Sequence, residues 1–562
     1  MSGEESMRAR GSEFLYDALV EAEVSLLVGL PGTQTLPIDR TVAERDDIEY
    51  VMARHETAIP HIAWGYYETS GRMAATVTVP GPGDTNASHG LKNALDDNVP
   101  IVHISPIPNH EEFGKHPIHE IDGETFDHVV KANLTVESPI RLRETIDRGI
   151  ETALKPPYGP VRIGIPSGYL REEIFSYGAS VSTERTEYDT DEALITAADR
   201  LAVSSRPLLY VGGGVSRSPD GPSAVDELVS VLDAPVATSY KGKGVFPEDD
   251  SRFIGVTGSD LPAGSRDVFA AADTVLAIGT DFDGPNTDDW SLPMGETLIQ
   301  VNIDPAEIGT AYEADVAVVD DAAHACEVIV DQLRTRESRS TWDGSGLATA
   351  VRDEYNQHLS DAGLLEEGLP LSSPAVLRTV RSVVPNDTVV TTDIGGHRIW
   401  SKNVFRAYKD WTFVTPGSWA GMGVGLPSAI GAKLARPENP VLTLTGDGSL
   451  MMCSQELHTA AEYDLDITVV LFNDADYGII SKSMGSGGEN HQFGWNSPDW
   501  SSIAGGYGWK ARRVRTRTGL QDALTWALDT DSPTFIDIDI DPDEPTPYDV
   551  ADYETEVDVT GF

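Results

Sequence analysis

The stretch Val441–Ile480 reads VLTLTGDGSLMMCSQELHTAAEYDLDITVVLFNDADYGII. Val441–Thr445 is a short apolar, β-branched run, the pattern of a buried parallel strand. Gly446-Asp447-Gly448 interrupts it. Leu450–Tyr463 lacks Gly and Pro and spaces its apolar residues as a helix does, and Ile467–Phe472 is a second buried strand ending at Asn473-Asp474. In such a strand–turn–helix–strand unit, Asp447 and Asp474 (474 − 447 = 27 positions apart) stand at the carboxyl ends of two parallel strands, where ligands bind in open α/β sheets. Two carboxylates there suit one hard cation, and Mg²⁺ takes oxygen ligands while keeping phosphates and waters in its shell. Gly448 and Ser449 open the helix and can aim their N–H groups at a phosphate. A metal-bridged diphosphate is the expected guest. A lone GDG is more often a plain tight turn; the acid after the next strand, with Tyr477-Gly478 beyond it, outweighs that reading.

The same alternation runs along the rest of the chain. In the first third, strand Val24–Val28 ends in Gly29-Leu30-Pro31-Gly32-Thr33-Gln34, and strand Ile48–Met52 leads into Arg54-His55-Glu56. Strand Ala74–Val79 leads into Pro80-Gly81-Pro82-Gly83-Asp84-Thr85-Asn86, and strand Pro100–Ile104 ends at Ser105-Pro106. Helices are expected over Ser12–Ala22, over Thr57–Ser70 and up to Leu95. In the middle, strands Pro207–Val211, Val236–Thr238, Thr274–Ile278 and Leu298–Ile303 are clearest. Gly212-Gly213-Gly214 could cradle a dinucleotide, but a full GxGxxG is missing and turns are commoner. Near the end, strand Val389–Thr392 precedes Asp393-Ile394-Gly395-Gly396-His397. Then comes Trp419-Ala420-Gly421-Met422-Gly423, whose small residues allow close backbone approach. Strands alternating with helices mean parallel sheets covered on both faces. The expected fold is α/β, with three doubly wound parallel-sheet domains at 1–175, 190–335 and 372–562, the last ending in an acidic tail. Residues 336–371 read as a polar linker with a helix around Ala348–Ser360, Ser176–Thr190 as a Ser/Thr-rich linker, and Met1–Gly11 as a frayed terminus.

Composition narrows the partners. With 562 residues and 40% hydrophobic content, the chain can build several cores. It carries 90 acidic against 41 basic residues, a formal charge of −49, with only 11 lysines among the cations. Such a surface repels nucleic acid and anionic membrane. It also suits a protein working in high salt, where screening removes the self-repulsion, and so suggests a halophile. The two cysteines, Cys326 and Cys453, sit in apolar helical contexts and suggest neither a disulfide framework nor a metal cluster. No 18-residue apolar run and no signal-peptide pattern is present, so a soluble cytoplasmic protein is expected.

The segments GDGSLMMCSQEL and NDADYG resemble the diphosphate-and-metal motif of thiamine diphosphate (ThDP) enzymes, in the superfamily of acetolactate synthases, pyruvate oxidases and 2-oxo acid decarboxylases. The resemblance extends over roughly residues 14–541. It implies that Gly446, Asp447, Gly448, Ser449, Asp474, Tyr477 and Gly478 hold the diphosphate end. The Mg²⁺ ligands would be Asp447, Asp474 (in place of the family's Asn) and the backbone carbonyl of Asp476. The RHE segment implies that Glu56 shares a proton with the aminopyrimidine ring, favouring the imino tautomer that takes the C2 proton of the thiazolium. Gly81, Gly83 and Asn86 resemble the family's GPG-x-x-N turn. Gly395, Gly396 and His397 resemble its D-x-G-Q-H loop, with Gly396 for Gln. Met422 would be the apolar wedge between the cofactor rings, with Ala420 offering its carbonyl to the pyrimidine. Thr33, Gln34, His110, His119 and Ile480 are substrate-side candidates. His110, His116 and His119 lack the spacing of a zinc site.

The central domain binds FAD or ADP in some relatives. Asp281 stands where the flavoprotein synthases have Arg, so FAD is not expected. The implied reaction is decarboxylation of a 2-oxo acid with carboligation, since Ile480 replaces the proton-moving Glu of pyruvate decarboxylases. The alternatives are simple decarboxylation, a flavin-dependent oxidase, or a non-catalytic paralogue. The family builds its site between subunits, so a homodimer or homotetramer is expected.

Overall fold

In a computed structural model, residues 7–176, 190–336, 340–484 and 493–562 are described. Most of the Ser176–Thr190 linker, and the middle of the Ser481–Trp500 loop, lie outside them. Three six-stranded sheets, each parallel throughout, carry the chain. From one edge, the first sheet runs Glu49–Met52, Leu26–Gly29, Ala74–Val77, Ile101–Ile107, Val161–Pro166 and Ala132–Thr135. Counted in chain order within the sheet, that is 2-1-3-4-6-5. The last sheet has the same order: Phe413–Val414, Val389–Thr392, Val441–Gly446, Ile467–Asn473, Thr534–Asp539 and Lys510–Val514. The middle sheet runs 3-2-1-4-5-6: Phe253–Val256, Val236–Thr238, Pro207–Val211, Thr274–Ile278, Thr297–Asn302 and Val316–Val319. The inner strands are buried on both faces, as sheets covered by helices require, while edge strands such as Glu49–Met52 and Lys510–Val514 are partly exposed. This is the three-fold repetition of a doubly wound α/β unit expected from the sequence.

The first and last domains share a core through two helices, Ala58–Ser70 and Gly425–Ala435. A Cβ on Gly65 would lie 2.3 Å from the Ser428 carbonyl oxygen, and one on Gly431 would lie 2.0 Å from that of Ile62. The two backbones therefore touch, and no larger residue fits at either crossing point. Ile59, Ile62, Ala63, Leu426, Ala429 and Ile430 fill the seam and are fully buried.

Several local expectations shift. Met7–Arg10 is not frayed: it pairs antiparallel with Glu173–Ser176 and hems the first domain. The helix expected over Leu450–Tyr463 starts earlier and breaks into Asp447–Cys453 and Glu456–Glu462. The turn expected at Gly83–Asn86 lies inside helix Pro82–Asp96, because Pro82 at the first helical position presets the backbone angle. The 336–371 segment holds helix Gly344–Asp361, whose Leu347, Ala348 and Val351 pack into the central domain's core. That core also takes in Val559, and the Val559 carbonyl accepts the Trp342 indole N–H at 3.1 Å. The Gly212-Gly213-Gly214 run packs one loop on another: a Cβ on Gly212 would sit 2.2 Å from the Gly279 carbonyl oxygen.

Candidate functional site

The GDG turn closes as the strand pattern predicts. Asp447 begins the helix after Val441–Gly446 and is 1% exposed. Its two oxygens accept the N–H groups of Gly448 and Ala475, each at 3.0 Å. Ala475 has φ +56°, a left-handed turn that brings the chain after strand Ile467–Asn473 back towards Asp447. Asp474 accepts the Asp476 N–H at 3.3 Å, and a Cβ on Gly478 would lie 2.3 Å from an Asp474 oxygen, so any side chain there would displace that carboxylate. Burial, and then the charge of Asp474, push the Asp447 carboxyl up to about 7; burial raises Asp474 as well. A buried acid raised by a neighbouring carboxylate is the arrangement whose cost a bound cation would relieve. Among the described residues no group of three or more His, Cys, Asp or Glu side chains is placed to hold a metal. The Asp447–Asp474 pair thus suits a cation completed by phosphate, water and backbone oxygens rather than a protein cage.

The loops beside it converge. Ser449 donates to the Ile394 carbonyl at 2.7 Å, tying GDG to the Asp393–His397 loop. His397 is buried, stacks on Phe472, and has no partner for its Nε2. Burial drives its pKa down to about 3, so its ring is neutral. Gly396 has open space where a side chain would be. Asp393, fully buried, accepts N–H groups from Ile394, Gly423 and Gly425 at 2.8–2.9 Å and so fixes the chain immediately after Met422.

In the first domain, Glu56 follows strand Glu49–Met52 and accepts a 3.0 Å hydrogen bond from Asn86 Nδ2. Next to it, Thr57 and Ala58 line a cavity of ≈410 Å³ with His89, Met422, Gly423 and Met452. The Glu56 turn and the second half of the GDG unit are also joined directly, as the Arg54 N–H donates to both Glu456 carboxylate oxygens at 3.1 and 3.2 Å. The chain thus brings Met422 to the Glu56 turn. No hydrogen bond links Glu56 itself to Asp447 or Asp474 among the described residues.

Three family models match in sequence. They are the N-terminal TPP binding domain (residues 9–126), the central domain (194–329) and the C-terminal TPP binding domain (393–538) of thiamine pyrophosphate enzymes. The acetolactate synthase large subunit of Parasynechococcus marenigrum is 31% identical, across 94% of this chain and 87% of the relative. The chain belongs to the thiamine pyrophosphate enzyme family. A probable acetolactate synthase large subunit of Methanococcus aeolicus is 28% identical over 95% and 92% of the two chains. The isozyme 1 large subunit of Escherichia coli is 27% identical over 97% and 96%.

Against that family's cofactor, this chain's residues fit. The unpartnered Nε2 of His397 offers a buried hydrogen-bonding atom beside GDG, and the buried Asp447 carboxyl, raised by burial and by Asp474, is one that a cation would stabilise. The substrate-side candidates divide. Gln34 Nε2 lies 3.3 Å from His119 Nδ1, and a Cβ on Gly81 (φ +67°) would sit 2.9 Å from the His119 carbonyl oxygen, so these three are in mutual contact, with Thr33 exposed beside Gln34. His110 instead directs Nε2 to the Val136 carbonyl at 3.0 Å. Ile480 is 54% exposed on the short helix Gly478–Ser483, and Tyr477 meets Trp495 edge-on. The roles of Asp393 and Glu456 are not visible in local pattern. The only signal is that each is an acid next to a glycine- or glutamine-bearing turn, and their partners are 30 and 402 residues away.

Proposed function

We propose that this protein is a ThDP- and Mg²⁺-dependent 2-oxo acid decarboxylase and carboligase of the acetolactate synthase type, the activity its relatives' names carry. The supporting observation is the pairing of two ends: a cation socket at Asp447 and Asp474, and a carboxylate, Glu56, one residue from the cavity that Met422 lines. Bound ThDP supplies a carbon nucleophile and an electron sink for decarboxylation. The chain's own residues do the rest. Asp447, Asp474 and the Asp476 carbonyl would hold Mg²⁺, His397 would donate to a phosphate oxygen, and Glu56, steadied by Asn86, would share a proton with the pyrimidine. Met422 and the Ala420 carbonyl would fix the cofactor's bend. Ile480 can neither give nor take a proton, which favours handing the product carbon to a second carbonyl over simple protonation.

The acidic surface favours activity in high salt. Among the described residues no helix is long and apolar enough to cross a membrane, and we place the enzyme in the cytoplasm. Exposed Met451, Met452, Tyr477 and Ile480 around the site support burial by a second copy, in a dimer or tetramer. The crevice at the strand ends of the central domain is lined by Asp281, Asp283, Asp304, Glu307, Asp320 and Asp321 and also by Lys155, Arg217 and Lys241, the last two of which are paired with Glu68. The acids outnumber these cations and would disfavour a dinucleotide's diphosphate, and turnover is expected without FAD. The test is a panel of 2-oxo acids in molar KCl with ThDP and Mg²⁺, following CO₂ and product. A two-substrate condensation product supports the reading, a free aldehyde points to simple decarboxylation, and no turnover on any acid overturns it.

A further inference from the structure

Helix Pro82–Asp96 with its C-cap Asp97 carries Asn86, His89, Asn93 and Asp97 at spacings of three, four and four, which puts them on one face. At one end Asn86 holds Glu56. At the other, Asp97 accepts the Gly417 N–H with both oxygens at 3.1 and 3.3 Å, the Trp64 indole at 3.0 Å and the Lys241 ammonium at 3.3 Å. Between them the Trp419 indole N–H donates to His89 Nδ1 at 2.8 Å. A Cβ on Gly421 would lie 1.9 Å from His89 Cε1, so the backbone at Gly421 is packed close against the imidazole. The loop that carries Met422 is therefore laid along this helix and pinned at Gly417 and Trp419. At 1.5 Å per residue the face spans about 16 Å. His89 accepts on Nδ1 only while that nitrogen is deprotonated, and burial lowers its pKa. Behind it stands His61, edge-on at 4.9 Å and itself buried and neutral.

We propose that His89 is a positioning residue: through Trp419 and Gly421 it fixes the Met422 loop against the helix that also holds Glu56, so that one rigid element sets the spacing of the two. The inference rests on the ThDP reading for its catalytic consequence but not for the loop contact. His89→Leu, which removes the acceptor, is expected to lower kcat about 10- to 100-fold, the scale of an ångström's misplacement, with KM for the 2-oxo acid changed less than about threefold. His89→Asn keeps an acceptor at the Nδ1 position and is expected to restore most of that loss. Trp419→Phe should match His89→Leu, and the double variant should be no worse than either, as for two ends of one interaction.

Hydrogen exchange over residues 415–424 in the cofactor-free full-length protein gives a second readout. It should rise in His89→Leu and Trp419→Phe and stay near the wild-type level in His89→Asn. Faster exchange in a protein that never turns over a 2-oxo acid would sink the ThDP reading and leave the loop contact standing. Unchanged exchange in His89→Leu, or an Asn variant as impaired as the Leu variant, overturns the proposal.

Discussion

The first and last domains run their strands in the same order, and the same places in each carry different chemistry. After the third strand of the first sheet stands Asp84, fully buried, and after the third strand of the last sheet stands Asp447, equally buried. Asp84 has its counter-charge built in. Arg162 grips it at 2.8 and 3.0 Å, His103 lies at 3.2 Å, and Ser105 and Thr78 donate to it. Burial works against the charge, but His103 and Arg162 outweigh it and hold the carboxyl at about 2. Asp447 has backbone N–H groups and another aspartate, and stands at about 7. One fold thus yields a closed structural knot and an open socket, and what separates them is whether a neighbouring strand supplies an arginine. The ends of the second strands differ likewise: Glu56 in the first domain, and the Met422 loop in the last.

The comparison can be broken at its strongest point first. Glu56→Gln keeps the shape but cannot share the proton. Turnover should fall about 10²- to 10⁴-fold with ThDP still bound, measured by steady-state kinetics beside calorimetric binding. Arg162→Met would leave the buried Asp84 without its arginine, with only His103, Ser105 and Thr78 to hold it, costing about 3 kcal/mol in denaturant unfolding. Asp447→Asn in the matching position should hardly touch that stability, while Mg²⁺-dependent ThDP affinity drops by about 100-fold or more. If the two substitutions exchanged effects, the assignment of knot and socket would be wrong.

The smallest effect is with pH. Asp84 is depressed from 3.8, so its contribution is complete above about pH 4 and is lost as pH falls through 2. His61 and His397 are depressed from 6.5 to about 3, so below pH 6.5 the unfolded chain binds protons that the folded one refuses. Asp447 and Glu544, raised to about 7, and Asp281 and Asp410, raised to about 6, act the other way. The folded chain takes up their protons first, so they add stability as pH falls towards 4, and the net loss of stability is expected only below about pH 4. Thermal melts of Arg162→Met should show a smaller loss of stability below about pH 4 than the wild type does.

The strand ends were legible because buried parallel strands are short β-branched runs and the residues after them are punctuated by glycine and proline. Val441–Gly446, Pro207–Val211 and Thr274–Ile278 are examples, and GDG could be read from them directly. What lay hidden depends on distant partners. Met7–Arg10 is too polar to read as a strand and becomes one only beside Glu173–Ser176. Arg162 sits 78 residues from the aspartate it neutralises. His89 looked like one residue among many in a helix, because the indole it receives lies 330 residues on. His110 carried the right residue type near the right place, but its nitrogen goes to a backbone carbonyl of its own domain.

The Trp342–Val559 contact, 217 residues apart in the chain, has a consequence for synthesis. As the polypeptide leaves the ribosome, the middle domain emerges well before the segment that seals its apolar face. Until residue 559 arrives, Trp342, Leu347 and Val351 lack their cover, so nascent chains stalled short of that point should bind chaperones more avidly than released ones.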